Sequence, residues 1–203
     1  MIDRPKLFIV TFLTFVRFPL VLLFFIGALF YVKFHATWIF VTALTLLAVS
    51  AITDFFDGYL ARKFNVVTKL GAHADPLMDK FFYLSTLPLL VFVATINNHI
   101  THAVFLLIMT VSFLSRDQWV TFLRSIGSIY QVPGGANWSG KLRTAINFPM
   151  ICLIYFIEES PAKPAFIIPV VYVLEGIAFI SNFVSLYIYT RQYWPYLRKS
   201  ADD

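Results

Sequence analysis

Residues 54–79 read DFFDGYLARKFNVVTKLGAHADPLMD. Four aspartates, Asp54, Asp57, Asp75 and Asp79, stand in this stretch, and an apolar run flanks it on each side, roughly 37–61 before and 72–96 after. Each run reaches the length of about 20 residues that a helix needs to cross a bilayer. The acids therefore fall at the ends of two predicted membrane helices. One acid at the centre of such a helix costs about 2.5–3.5 kcal/mol on insertion scales, so four need compensation.

Their spacing suggests it. Asp54 and Asp57 are three residues apart, and Asp75 and Asp79 four apart. At about 100° per residue each pair shares one helix face. The connection 62–71 is short, which predicts that the two helices are antiparallel neighbours with their Asp faces meeting. Four carboxylates converging in a dry place repel each other and call for a divalent cation, with two the expected number. Hard oxygen donors without Cys or paired His favour Mg²⁺, Mn²⁺ or Ca²⁺ over Zn²⁺. Gly58 and Ala61, three apart on the first helix, leave room with Gly71 for a bulky planar group. A helix-interior Gly costs about 1 kcal/mol against Ala, which points to a close approach. Arg62 can fork onto a phosphate. Taken singly, Asp54 reads as a solvated or salt-bridged helix end, Gly58 as helix packing and Arg62 as a topological anchor. The complete spacing reads differently.

Outward from this stretch the chain keeps the same character. Its hydrophobic set makes up 59% of 203 residues and its charged residues 13%, against about 25% charged in soluble domains. Mean hydropathy is +0.76. Such a chain has too little polar surface to face water and is expected to be solvated by lipid. Its 23 Phe and 10 Tyr suit lipid-facing helices and interfacial belts. The net charge of +5 is then explained by basic loops beside anionic lipid rather than by nucleic acid. The single Cys152 lies in an apolar run and excludes an intrachain disulfide.

The fold expected is all-α, a single integral-membrane domain over 1–203. Six spans are predicted, roughly 8–32, 37–61, 72–96, 101–125, 140–158 and 165–190. The first is read as a retained span rather than a cleaved signal, because its apolar run is too long. Placing both termini in the cytoplasm puts Arg4, Lys6, Arg62, Lys63, Lys69, Arg124, Lys141, Arg143, Arg191, Arg198 and Lys199 on that side. The other side keeps Lys33 and Lys163, beside Glu158 and Glu159. This asymmetry follows the positive-inside rule. It predicts a bacterial-type inner-membrane protein with the acidic stretch facing the cytoplasm.

The acidic string resembles the signature of the CDP-alcohol phosphatidyltransferase family. That signature reads Asp, two residues, Asp-Gly, two, Ala-Arg, eight, Gly, three, Asp, three, Asp, and every position is present over 26 residues. The resemblance implies an enzyme with two divalent ions, Mg²⁺ or Mn²⁺, ligated by Asp54, Asp57, Asp75 and Asp79. It implies Asp79 as general base, and a CDP-binding set of Asp54, Gly58, Ala61, Arg62, Thr68 and Gly71. The implied chemistry is loss of CMP from a CDP-linked lipid, CDP-diacylglycerol, to an alcohol whose hydroxyl gives its proton to a carboxylate.

The alcohol is read from elsewhere in the chain. Asp75-Pro76 and Asp79-Lys80 look like the Asp-Pro-x-x-Asp-Lys variant common in phosphatidylglycerophosphate synthases. Ser139-Gly140-Lys141 and Arg143-Thr144 resemble their Gly-Lys-x-Lys-Thr element, with Arg for the second Lys. Thr14 and Arg17 sit as in a Thr-x-x-Arg element, and Arg116-Asp117 falls where Arg-Glu or Arg-Asp is common. These features favour sn-glycerol 3-phosphate, a dianion that needs a basic pocket, expected from Arg116, Lys141 and Arg143. Each also has a plainer reading: a salt bridge within Arg116–Asp117 or across helices, and a loop anchor at Lys141. Glu175, in the last span, is expected to pair with an Arg or to help line the pocket. Phosphatidylglycerol and inositol or inositol phosphate remain open as acceptors, as does a homodimer. A small ion or lipid transporter is the alternative outside enzymes, but it would spread its acids along a path through the bilayer.

Overall fold

The computed structural model describes residues 4–64, 69–132 and 138–202. Six helices account for nearly all of them: α1 (Arg4–Phe34), α2 (Thr37–Lys63), α3 (Lys69–Ile96), α4 (Ile100–Ile129), α5 (Trp138–Glu159) and α6 (Ile167–Asp202). No strand occurs among the described residues. The all-α expectation holds, and each helix covers one predicted span.

Five of the six are long and apolar enough to cross a membrane. The exception is α5, which carries Lys141 and Arg143 near one end and Glu158 and Glu159 at the other, shortening its uncharged stretch. At a rise of about 1.5 Å per residue α6 is roughly 54 Å long, well beyond the hydrocarbon thickness of about 30 Å. Its last turns, with Arg191, Arg198 and Lys199, therefore extend past the apolar layer.

Short connections set the up-and-down course. His35 and Ala36 join α1 to α2, and Asn97–His99 join α3 to α4. His35 and Asn98 take left-handed conformations (φ 48° and 60°), the usual way to stop a helix and reverse the chain. The bundle thus has two ends. One, called here the site end, gathers the start of α1, the end of α2 and the start of α3. The far end gathers the α1–α2, α3–α4 and α5–α6 connections.

The sequence expectation of neighbouring α2 and α3 is corrected by the packing. Among the described residues no Cα atoms of these two helices come within 8 Å of each other; α1 packs against both, and so does α5. The short loop fixes only the separation of their ends, while the faces that offer apolar surface decide which helices touch. Fully buried Ala28 and Ala43 lie on the paired helices α1 and α2, and small residues of this kind permit close helix approach in lipid.

The core is largely apolar, but the exterior is apolar too and several charged groups are buried. Phe55, Trp38 and Phe166 are over 70% exposed, while Arg17, Glu175 and Asn182 are about 1% exposed. Lipid makes sense of both: the tails solvate the aromatic exterior, and polar groups must find partners inside.

Candidate functional site

Asp54 lies in the last turns of α2 and Asp79 eleven residues into α3. Between them stands Arg17 of α1, almost fully buried. Its Nη1 forms an ion pair with Asp54 and reaches Asp79 Oδ1 at 3.2 Å. A helix packed against both α2 and α3 thus supplies the cation that joins their acids. The two carboxylates remain partly open, at 18% and 33% exposure. One turn before Arg17, Thr14 donates its hydroxyl to the Val10 carbonyl.

Asp57, Gly58, Ala61 and Arg62 belong to α2, and Gly71 and Asp75 to α3. Their side chains, and all of Thr68, lie outside the described residues. The backbone still carries an argument: Asp57 follows Asp54 by three helical positions and Asp75 precedes Asp79 by four, so each shares a face with its described partner. Among the described residues no cluster of three or more acids or histidines forms a metal site; Asp54 and Asp79 contribute hard carboxylate oxygens, the donor type that suits a divalent cation.

A second charged group lies beside the first. Arg116 and Asp117 of α4 meet Arg143 of α5, all buried. Arg143 Nη1 and Nη2 reach Asp117 Oδ1 and Oδ2 at 2.9 and 3.2 Å, a bidentate fork. Arg116 Nη1 shares Asp117 Oδ1 at 3.0 Å. From α6, Ser185 accepts from Arg116 Nη2, and Asn182 Oδ1 accepts from Arg143 Nε at 3.1 Å. Aromatic faces complete the enclosure: Tyr83 and Phe113 against Arg143, and Tyr189 against both Arg116 and Arg124. Tyr83 sits one turn past Asp79 on α3 and so links the two groups, and Arg143 is close enough to Asp79 to feel its charge.

Two guanidiniums share one carboxylate here, so Arg116, Asp117 and Arg143 carry a surplus positive charge in a buried place. The local sequence allows this crowding. At Gly140 an added Cβ would come within 3.0 Å of Tyr189 Oη, so the missing side chain lets Tyr189 approach.

The acceptor set proposed from sequence therefore divides. Arg116 and Arg143 come together, and the Arg116–Asp117 pair does form. Lys141 is exposed; two residues from Arg143, it is turned by about 200° to the opposite side of α5. The sequence reading did not find Asp117 as a shared counter-ion, nor Tyr83, Asn182, Ser185 and Tyr189. The available signal was Asn182, Ser185 and Tyr189 at helical spacing on α6, a polar stripe in an otherwise apolar helix.

Glu175 is a correction. It neither pairs with an Arg nor lines this region. It sits at the far end, where its Oε1 is 2.8 Å from His102 Nε2. The other ring nitrogen of His102 is 2.7 Å from Glu158 Oε1, and Glu158 Oε2 is 2.8 Å from His99 Nδ1. Asn97 and Lys163 donate to the Glu158 carbonyl, and the Tyr31 hydroxyl to that of Glu159.

Comparison with known proteins identifies the family. The profile of the family described as CDP-alcohol phosphatidyltransferase matches residues 7–186. A Mycobacterium tuberculosis protein described as a probable phosphatidylglycerophosphate synthase is 33% identical over 160 residues, 79% of this chain and 70% of that protein. A Pseudomonas fluorescens CDP-diacylglycerol–glycerol-3-phosphate 3-phosphatidyltransferase is 29% identical over 179 residues, 84% of this chain and 83% of that protein. A Cereibacter sphaeroides protein of the same name is 34% identical over 111 residues, 55% of this chain, and the match spans only 49% of its own length. A matched stretch that contains the Arg17-bridged aspartates and the Arg116–Asp117–Arg143 group leaves one conclusion: the chain belongs to the CDP-alcohol phosphatidyltransferase family.

Proposed function

We propose that this protein transfers the phosphatidyl group of CDP-diacylglycerol to sn-glycerol 3-phosphate, releasing CMP and forming phosphatidylglycerophosphate. The observation that carries the acceptor is the surplus charge of Arg116 and Arg143 over their shared Asp117. A buried cation without a full counter-charge is costly, and a phosphate dianion is a ligand that offsets it. The names of the relatives point the same way.

Asp54, Asp57, Asp75 and Asp79 would hold two divalent cations, Mg²⁺ or Mn²⁺. When bound, these ions would neutralise the pyrophosphate and the departing CMP oxygen. Gly58, Ala61, Arg62, Thr68 and Gly71 would receive the CDP portion. Arg116 and Arg143 orient the acceptor phosphate. Asp79 takes the proton from the acceptor hydroxyl, whose oxygen forms the new bond to the phosphatidyl phosphorus as the bond to CMP breaks. The excess of Lys and Arg at the site end, against Lys33 and Lys163 at the far end, supports a cytoplasmic-membrane location with the site facing the cytoplasm.

The test is a panel of acceptors with purified protein and CDP-diacylglycerol, reading CMP and lipid product. Phosphatidylglycerophosphate from glycerol 3-phosphate is the expected result. CMP release only with phosphatidylglycerol or inositol would replace the acceptor, and no CMP release with any alcohol would return the transporter reading.

A further inference from the structure

The bridging of Asp54 and Asp79 by Arg17 has a consequence for how the acidic site takes up its cations. Arg17 carries a permanent positive charge and is buried. It touches one carboxylate from each of two helices. A cation arriving at this oxygen pair therefore meets a charge of its own sign already in place.

We infer that Arg17 is a built-in counter-cation for the acidic site, a positioning residue that holds Asp54 and Asp79 together until a divalent cation displaces it. The inference rests on the reading of this site as a divalent-cation site. The exchange favours the incoming ion for two reasons. A divalent ion carries twice the charge of the guanidinium, and it accepts several carboxylate oxygens at once. Once released, the guanidinium is a buried cation in need of an anion, and a fork of this shape suits phosphate oxygens. Cation entry thus readies a phosphate-binding group beside the acids, and reciprocity requires that an anionic nucleotide in turn favour cation entry.

The measurement is Mn²⁺ affinity of the purified protein in detergent without nucleotide, for wild type, Arg17→Gln and Arg17→Lys, with thermal unfolding followed alongside. A competitor and a scaffold predict opposite signs. Removing the competing charge should make Arg17→Gln bind Mn²⁺ about 10-fold more tightly than wild type. Arg17→Lys, which keeps the charge, should stay near wild type. Metal-free Arg17→Gln should melt lower than wild type and recover more on adding Mn²⁺, because the ion takes over the joining of the two helices. Equal or weaker Mn²⁺ binding by Arg17→Gln would overturn the inference, since Arg17 would then only orient the ligands. So would an Arg17→Gln protein that stays unfolded in saturating Mn²⁺. If wild type itself binds no Mn²⁺, the cation reading of the site falls, and this inference with it.

Discussion

Two charged clusters lie at opposite ends of one bundle, and they differ in composition: histidine with glutamate at one, arginine with aspartate at the other. At the far end His99, His102, Glu158 and Glu175 form a chain in which both Glu158 oxygens and both His102 nitrogens have partners at 2.7–2.8 Å. Asn97, Lys163 and Tyr31 satisfy the neighbouring carbonyls. The group ties the α3–α4 connection, α5, α6 and α1 together. At the site end the partners are guanidiniums and aspartates. Arg116 and Arg143 outnumber Asp117, and Asp54 and Asp79 share one nitrogen of Arg17 while staying partly exposed. Neither cluster is fully satisfied: Glu175 Oε2 at the far end and Arg116 Nε at the site end are buried without a hydrogen-bond partner. The excess of Arg over Asp and the partly open carboxylates at the site end support the function proposed for it.

Substitutions can break that contrast, in descending order of their effect on catalysis. Asp79→Asn should lower turnover by about 10²-fold or more, the scale of a lost general base, with CDP-lipid binding partly retained; near-normal CMP release would move the base elsewhere. Arg116→Ala and Arg143→Ala should each raise the KM for glycerol 3-phosphate about 10- to 100-fold, since charge-assisted hydrogen bonds contribute roughly 1.5–3 kcal/mol. The KM for CDP-diacylglycerol should hardly move. An unchanged glycerol 3-phosphate KM in folded protein would make these arginines structural and favour an uncharged acceptor. Lys141→Ala should change that KM by less than about threefold, since an exposed charge contributes about 0–1 kcal/mol; a larger effect would put Lys141 in the acceptor pocket. His102→Gln should leave the kinetics of folded protein alone. It should instead lower thermal stability by about 3 kcal/mol, the cost of breaking a buried ion pair. Loss of activity at unchanged stability would show that the far-end cluster is not merely a fastening.

Much of this could be read from the chain before folding. Apolar run length gave six helices, and the Asp spacing placed each acidic pair on one face, because both depend on a helix's own geometry. What escaped depended on packing between helices. Periodicity orients a residue about its own axis but does not say which helix it will face. So α2 and α3 were expected as direct neighbours, Arg17 was noted only as part of a short motif, and Glu175 was left between an Arg partner and the pocket lining. The separation of Lys141 from Arg143 was legible, since residues two apart on a helix point to opposite sides. Their common basic character concealed it.

The central claim, that the open acidic cluster is a divalent-cation site for phosphatidyl transfer, is tested most directly by removing the ions. CMP release from CDP-diacylglycerol and glycerol 3-phosphate should be followed in purified protein before and after excess EDTA, then on adding back Mg²⁺ or Mn²⁺. Turnover should vanish with the chelator and return with the metal. Full turnover in excess EDTA would contradict the account.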